Sequence, residues 1–487
     1  MLFNSYVFIM LFFPICMIGY FGLNHLGKYT LAQLFLFAMS LWFYGFFNPS
    51  YLLIILGSIS GNFLITRWMG KTQSEKWKKA ELVIALLLNL GMLFYYKYYD
   101  FFLENLNMIV GTDFALRHLL LPLGISFFTF QQISYVVDAY RGKTEQYTFL
   151  EYASFVAYFP QLIAGPIVTH DELIPQFRDP LKKRFQWDHF GQGLYMFAMG
   201  LAKKVLLADV FGVAANWGFA DLTQLDAVNG ILVSLAYTFQ IYFDFSGYCD
   251  MAIGIGRMMN LDLPVNFDSP YKSLTIEEFW DRWHKTLGRF LTQYIYIPLG
   301  GNRKGQVRTY VNILIVFIIS GFWHGAQWAF VLWGILHGLF KIVNRHWSKF
   351  FAALHPAMNW LLTFSFVNFT WVLFRSESIS QTLFFLRQML KLECGPINEN
   401  IVSAFQLPEI VFLGRHLPGI ELLNAYPNLL LWVFYGGALA LVLSAGNTYE
   451  RMLCYKPSFR TMAVTVILLV WSILSLSGVS TFLYFNF

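Results

Sequence analysis

Long charge-free apolar runs recur along this chain from its second residue to its last, separated only by short charged loops. A helix needs roughly 20 apolar residues to cross about 30 Å of hydrocarbon, and an isolated run of that kind is hard to satisfy in a water-soluble fold. The 487 residues would suffice for two or three soluble domains, but 57% are hydrophobic and only 13% charged, against about 25% charged in soluble chains. Mean hydropathy is +0.51. Water is therefore not the main solvent, and one membrane-embedded unit over residues 1–487 is the simplest organisation. Spans are expected at Leu2–Tyr20, Thr30–Phe47, Tyr51–Thr66, Leu82–Tyr96, Leu119–Val137, Phe190–Leu207, Gly230–Phe243, Thr309–Phe340, Phe351–Phe374, Leu429–Ala445 and Met462–Phe487. This is an all-α, polytopic membrane protein with about 11 transmembrane helices plus re-entrant and interfacial pieces.

Charge placement orients these spans. Lys and Arg cluster in Arg67–Lys79, Arg141–Lys143, Arg178–Arg184, Arg282–Arg308, Lys341–Lys349 and Arg451–Arg460, which reads as the cytoplasmic side. Val205–Gly256 has no Lys or Arg, and Glu393–Asn428 is acidic apart from Arg415, so both are expected outside, as are Met1 and Phe487. A net charge of +6 distributed in this way sets topology and does not call for nucleic acid. The N-terminus lacks a basic n-region and reads as a retained span. Cys16, Cys249, Cys394 and Cys454 are far apart with no ligand spacing, so neither a metal site nor a disulfide framework is expected. Phe149–Thr169 has basic loops on both sides and an Ala164-Gly165-Pro166 break. It is expected to be re-entrant and to line a cavity, the alternative being a Pro-kinked helix pair.

The chemistry is expected in residues 270–345. Thr309–Phe340 contains no Asp, Glu, Lys or Arg and carries Gly321-Phe322-Trp323-His324-Gly325-Ala326 at its middle. Its 32 residues would make roughly 48 Å of helix, short for two crossings and long for one. As a hairpin it would put His324 at the apex, about 24 Å from the basic side; as one tilted helix, near the midplane. An ionisable ring at either depth marks a functional site, or else a histidine bonded to a neighbouring helix. Gly321 and Gly325 would admit a backbone or a substrate beside it.

Upstream, Thr275 and Glu278 form a capping box, and Ile276, Trp280, Trp283, Leu287 and Leu291 share one helical face with His284. An amphipathic helix on the cytoplasmic surface follows from this, then an apolar dip at Tyr294–Leu299. Two histidines in apolar surroundings suit proton transfer at an alcohol, because neutral imidazole accepts a hydroxyl proton near physiological pH. Trp323, Trp283, Tyr296, Asn302, Arg303, Tyr242, Asp244, Ser246 and Gln161 are further candidates for lining or positioning, Asp244 with a helix cap as its alternative. No Walker loop, HExxH or dinucleotide fingerprint is present.

At "LPLGISFFTFQQISYVVDAYRG", "YFPQLIAGPI", "YFDFSGYCDMAIGIGRMMN", "FWDRWHKTLGRFLTQYIYIPLGGNRKG" and "FWHGAQWAFVLWGILHG" the chain resembles the membrane-bound O-acyltransferase family, in its bacterial polysaccharide O-acetylation branch. The resemblance implies a bundle with a thin centre reached by funnels from both faces, with His324 as the family's membrane histidine and His284 as its partner. It also implies an acyl group drawn from a cytoplasmic thioester, commonly acetyl-CoA as a substrate with no bound cofactor, and delivered outside to a polysaccharide, often through a separate SGNH-type transferase. Thr292-Gln293 departs from the branch's Arg-Asp, which bears on the donor. Alternatives are D-alanyl transfer from a carrier protein to teichoic acid, a transporter or flippase, and a non-catalytic scaffold.

Overall fold

The computed structural model describes residues 1–417, 422, 425–476 and 482–483, and every regular element among them is helical. The N-terminal half contains α1 (Val7–His25), α2 (Tyr29–Gly45), α3 (Tyr51–Met69), α4 (Glu75–Val110) and α5 (Ile125–Tyr140). The short α6 (Phe149–Ala157), α7 (Phe159–Leu162) and α8 (His170–Arg178) follow. Next come α9 (Trp187–Ala202), α10 (Asp209–Ala220) and the long α11 (Ala227–Met258). The chain continues through α12 (Ile276–Arg282), α13 (Lys285–Leu291), α14 (Gln306–His324), α15 (Trp328–His346), α16 (Pro356–Arg375), α17 (Pro427–Ser444) and α18 (Phe459–Leu474). Among the described residues six helices, α1, α3, α4, α14, α16 and α17, are both long and apolar enough to cross a membrane. Eleven were expected; the runs at Thr30–Phe47 and Leu119–Val137 fold as α2 and α5, of 17 and 16 residues, and that at Phe190–Leu207 passes from α9 into a π-helical turn. The end of the span expected at Met462–Phe487 and part of Glu393–Asn428 lie outside the described residues.

The perimeter carries the lipid-facing signature: Leu53, Ile84, Leu87, Trp432 and Ile467 are exposed. The centre is α11, a 32-residue helix buried along almost its whole length. A Cβ on Gly193 of α9 would sit 2.4 Å from the Gly254 carbonyl, and one on Gly200 2.7 Å from that of Gly247. Two glycine pairs thus let α9 and α11 approach backbone to backbone. The run expected to end at Phe243 continues for fifteen residues because its acids are neutralised: Lys204 Nζ donates to Asp244 at 2.7 Å and Lys203 Nζ to Asp250 at 2.6 Å. Both lysines begin a π-helical turn, Lys203–Ala208, and a carboxylate buried without such a partner would be strongly destabilising. Asp244 is therefore a mid-helix ion-pair residue, and the cap alternative is corrected.

Residues 152–168 are all buried. At nine and four residues, α6 and α7 measure about 14 and 6 Å, so neither crosses, and the segment turns back inside the protein. Gln161 Nε2 donates to the Phe155 carbonyl at 2.6 Å, satisfying backbone freed by the break. The expected cavity-lining role is not seen: this segment faces none of the three cavities described below.

Candidate active site

Thr309–Phe340 folds as a hairpin. It gains the length it lacked by extending past its charge fences, from Gln306 to His324 and from Trp328 to His346. Each arm has 19 residues, about 28 Å of helix. A Cβ on Gly321 would fall 2.2 Å from the Phe330 carbonyl, and one on Gly334 2.3 Å from that of Phe317. The arms cross there with no room for side chains. Gly325 accommodates the Phe330 ring, which would lie 2.2 Å from its Cβ. Both glycines beside His324 thus serve packing of the hairpin.

His324 is the last residue of α14 and is 3% exposed. The carbonyls at this helix end are met by α4: Lys97 Nζ donates to Trp323 O at 2.6 Å and His324 O at 3.1 Å, and the Tyr98 hydroxyl donates to Phe322 O at 3.0 Å. These donors satisfy carbonyls that have no partner within the helix, and they fix the backbone that carries the imidazole. Lys97 was invisible as a site residue in the sequence, lying more than 200 positions from His324 without a motif.

The expected single amphipathic helix is interrupted at the second histidine. Trp283 is extended and His284 adopts φ +47°, ψ +49°, so α12 ends and α13 begins around it. A non-glycine residue in the left-handed region is strained and needs the surroundings to hold it. Asn266 does so: its carbonyl accepts from Lys285 N at 2.9 Å, and its Oδ1 accepts from Thr286 N at 3.3 Å and Thr286 Oγ1 at 3.0 Å. His284 Nδ1 lies 3.0 Å from the same Oδ1. The two Thr286 donors identify that oxygen as an acceptor, so Nδ1 carries a proton, and in the neutral ring Nε2 is the acceptor nitrogen. The expected apolar face persists across the break, with Ile276, Trp283, Leu287 and Leu291 buried.

The break brings the two histidines together, their ring centroids 6.4 Å apart. Trp323 packs against both, at 5.0 Å from His324 and 6.0 Å from His284. Trp333 and Phe374, each 5.3 Å from His324, complete an aromatic enclosure. Trp283 stacks on Phe279 and lies 6.3 Å from Tyr242, forming the next layer. Tyr296 is half-buried, whereas Asn302 and Arg303 are exposed in the turn before α14; none of the three lines a cavity described here. Ser246 is buried within α11, and Asp244 is engaged with Lys204.

Two cavities flank this pair, one against α14 at Val316–Ser320 and one just beyond its C-terminal end. One, of about 660 Å³, has Lys143, Lys285, Arg289 and Lys341 among its lining, contains His284, and reaches Ser320. Thr292 and Gln293 also line it, on a π turn held by the Tyr294 hydroxyl donating to Asp138 at 2.6 Å. The other, of about 820 Å³, is lined by Gly325 and Gln327 together with Lys97, Gln240, Arg375 and Phe374. Ser320 and Gly325 are about 7.5 Å apart along the helix. That thin layer, with His324 in it, separates the cavities.

Comparison with known proteins agrees with this architecture. Residues 68–385 match the MBOAT, membrane-bound O-acyltransferase family. The chain is 44% identical to a peptidoglycan O-acetyltransferase of Helicobacter pylori, over 80% of each chain. It is 34% identical to a Pseudomonas putida protein named "Probable alginate O-acetylase AlgI", over the full length of both. A teichoic acid D-alanyltransferase of Streptococcus thermophilus is more distant, at 27% identity over 47% of this chain and 57% of its own. The chain belongs to the membrane-bound O-acyltransferase family and is a multi-pass membrane acyltransferase.

Proposed function

We propose that this protein transfers an acetyl group from a cytoplasmic thioester to a hydroxyl of an extracytoplasmic glycan, directly or through a partner transferase, at a centre made by His324 and His284. The observation that carries this reading is the histidine pair, 6.4 Å between rings, with a cavity at each end of it. The relatives named for peptidoglycan and alginate support a polysaccharide acceptor. In the His284 cavity Arg289 is paired with Glu172 and Lys285 lies 4.0 Å from Asp268, while Lys143 and Lys341 have no carboxylate partner among the described residues and suit a donor with phosphate groups, as acetyl-CoA has.

In the reaction, His324 takes the acceptor's hydroxyl proton as the oxygen attacks the thioester carbonyl. The new C–O bond forms, the C–S bond breaks, and the thiolate leaves with the proton. His284, with Nδ1–H committed to Asn266, offers a lone pair at Nε2, so its part is to accept a proton or to steady a protonated His324. Trp323, Trp333 and Phe374 exclude water that would otherwise hydrolyse the thioester. Thr292 and Gln293 fall within the donor cavity, so departure from the branch's usual Arg-Asp bears on donor choice. A carrier-protein thioester is the alternative there.

The test is transfer of labelled acetyl from acetyl-CoA to glycan oligomers by purified protein, with its partner transferase supplied if needed. His324→Ala and His284→Ala should each lower turnover at least about a hundredfold, in line with loss of a general acid–base group. Their melting temperatures should stay close to wild type. Full turnover by a folded His324→Ala protein rejects the assignment.

A further inference from the structure

A third cavity, of about 370 Å³, lies apart from the two that flank the histidine pair. One wall is the π turn and α11, with Leu206 and Phe243; the other is α17 and α18, with Phe434, Leu441 and Leu468. Phe434 and Leu441 are two turns apart on α17, so the slot runs along the helix axis, the direction of a lipid chain. At one end are Asn447, Thr448 and Arg451, and Lys272 Nζ donates to the Ala445 carbonyl beside them at 2.8 Å. The cavity's other cation, Lys203, is neutralised by Asp250. Among the described residues neither Lys272 nor Arg451 has a carboxylate partner. This end belongs to the Arg451–Arg460 loop, which basic patterning places at the cytoplasmic headgroup layer.

An apolar slot parallel to the spans, with unpaired basic side chains where headgroups lie, matches an anionic phospholipid. We propose that this cavity holds one acyl chain of an anionic phospholipid of the cytoplasmic leaflet, its phosphate met by Arg451 and Lys272. Cations near a membrane surface favour anionic lipid roughly fivefold each, so the pair should give about twenty-five-fold preference over a zwitterionic lipid of the same chains.

The full-length protein, purified and stripped of lipid, is titrated with phosphatidylglycerol and with phosphatidylcholine of matched chains, binding being read by native mass spectrometry. Wild type should retain phosphatidylglycerol preferentially. The double variant Lys272→Gln, Arg451→Gln should bind the two lipids alike, and Leu468→Trp, which fills the slot, should lose the tight site for both. Equal affinity of wild type for the two lipids overturns the proposal. So does an unchanged phosphatidylglycerol preference in the charge variant, which alters no core residue and stays informative even if Leu468→Trp misfolds. Competition by inorganic phosphate as strong as by the lipid would mean a free-anion site and also overturns it.

Discussion

A lysine side-chain nitrogen set against the last carbonyls of a buried helix does two things: it satisfies groups that have no partner within the helix, and it fixes where the next side chain stands. Lys97 holds the Trp323 and His324 carbonyls in this way. Lys97→Met should therefore lower kcat by about tenfold or more, with the KM for acetyl-CoA little changed because the cavity proposed for the donor, which contains His284, is not lined by Lys97. Lys97→Arg, which can still donate there, should recover part of the loss; an equal fall in kcat and no recovery by arginine would reduce Lys97 to bulk stability. At this scale the sequence was informative about the histidines and silent about their holders. His324 was legible as an imidazole inside a charge-free run, and His284 as one on the apolar face of an otherwise charged segment. Lys97 and Asn266 act through backbone carbonyls and a single side-chain oxygen from remote segments, and nothing in local spacing marks them.

At the scale of elements, the functional geometry comes from a hairpin and a break. Gly334 has a carbonyl where its Cβ would be, so Gly334→Val must push α15 away from α14, at a cost of about 1–3 kcal/mol for overpacking. The expected outcome is a melting temperature lowered by several degrees together with reduced transfer; an unchanged melting temperature would mean that the two arms are not packed as described. The hairpin was one of two topologies allowed by a 32-residue run, and only the helices' extension beyond Arg308 and Lys341 gives both arms their length. The break at His284 was illegible, since Ile276, Trp280, Trp283, Leu287 and Leu291 keep a helical period straight across it. Periodicity reports which residues are buried, and Asn266, supplied from another segment, determines that the backbone turns there. The end of α11 was misplaced for the converse reason: Asp244 and Asp250 look like stops until Lys204 and Lys203 are seen beside them.

For the whole molecule, burial and charge tell a consistent story. The apolar surface forms the perimeter, the buried α11 forms the axis, and the basic loops meet at the cavity that contains His284. The membrane class and helical fold were legible because hydrocarbon tolerates few backbone solutions. The number of crossings was not, since apolar runs such as Thr30–Phe47 and Leu119–Val137 fold as helices of only 17 and 16 residues packed within the bundle. The central claim is that one layer, with His324 in it, is reached from both faces. It is tested most directly in sealed vesicles containing the protein, with labelled acetyl-CoA enclosed on the basic-loop side and a glycan oligomer plus any partner transferase confined to the other. The account predicts labelled ester on the outer glycan, lost in His324→Ala, with the vesicles still impermeable to acetyl-CoA. Label appearing only on acceptor mixed with the donor on the same side would contradict it.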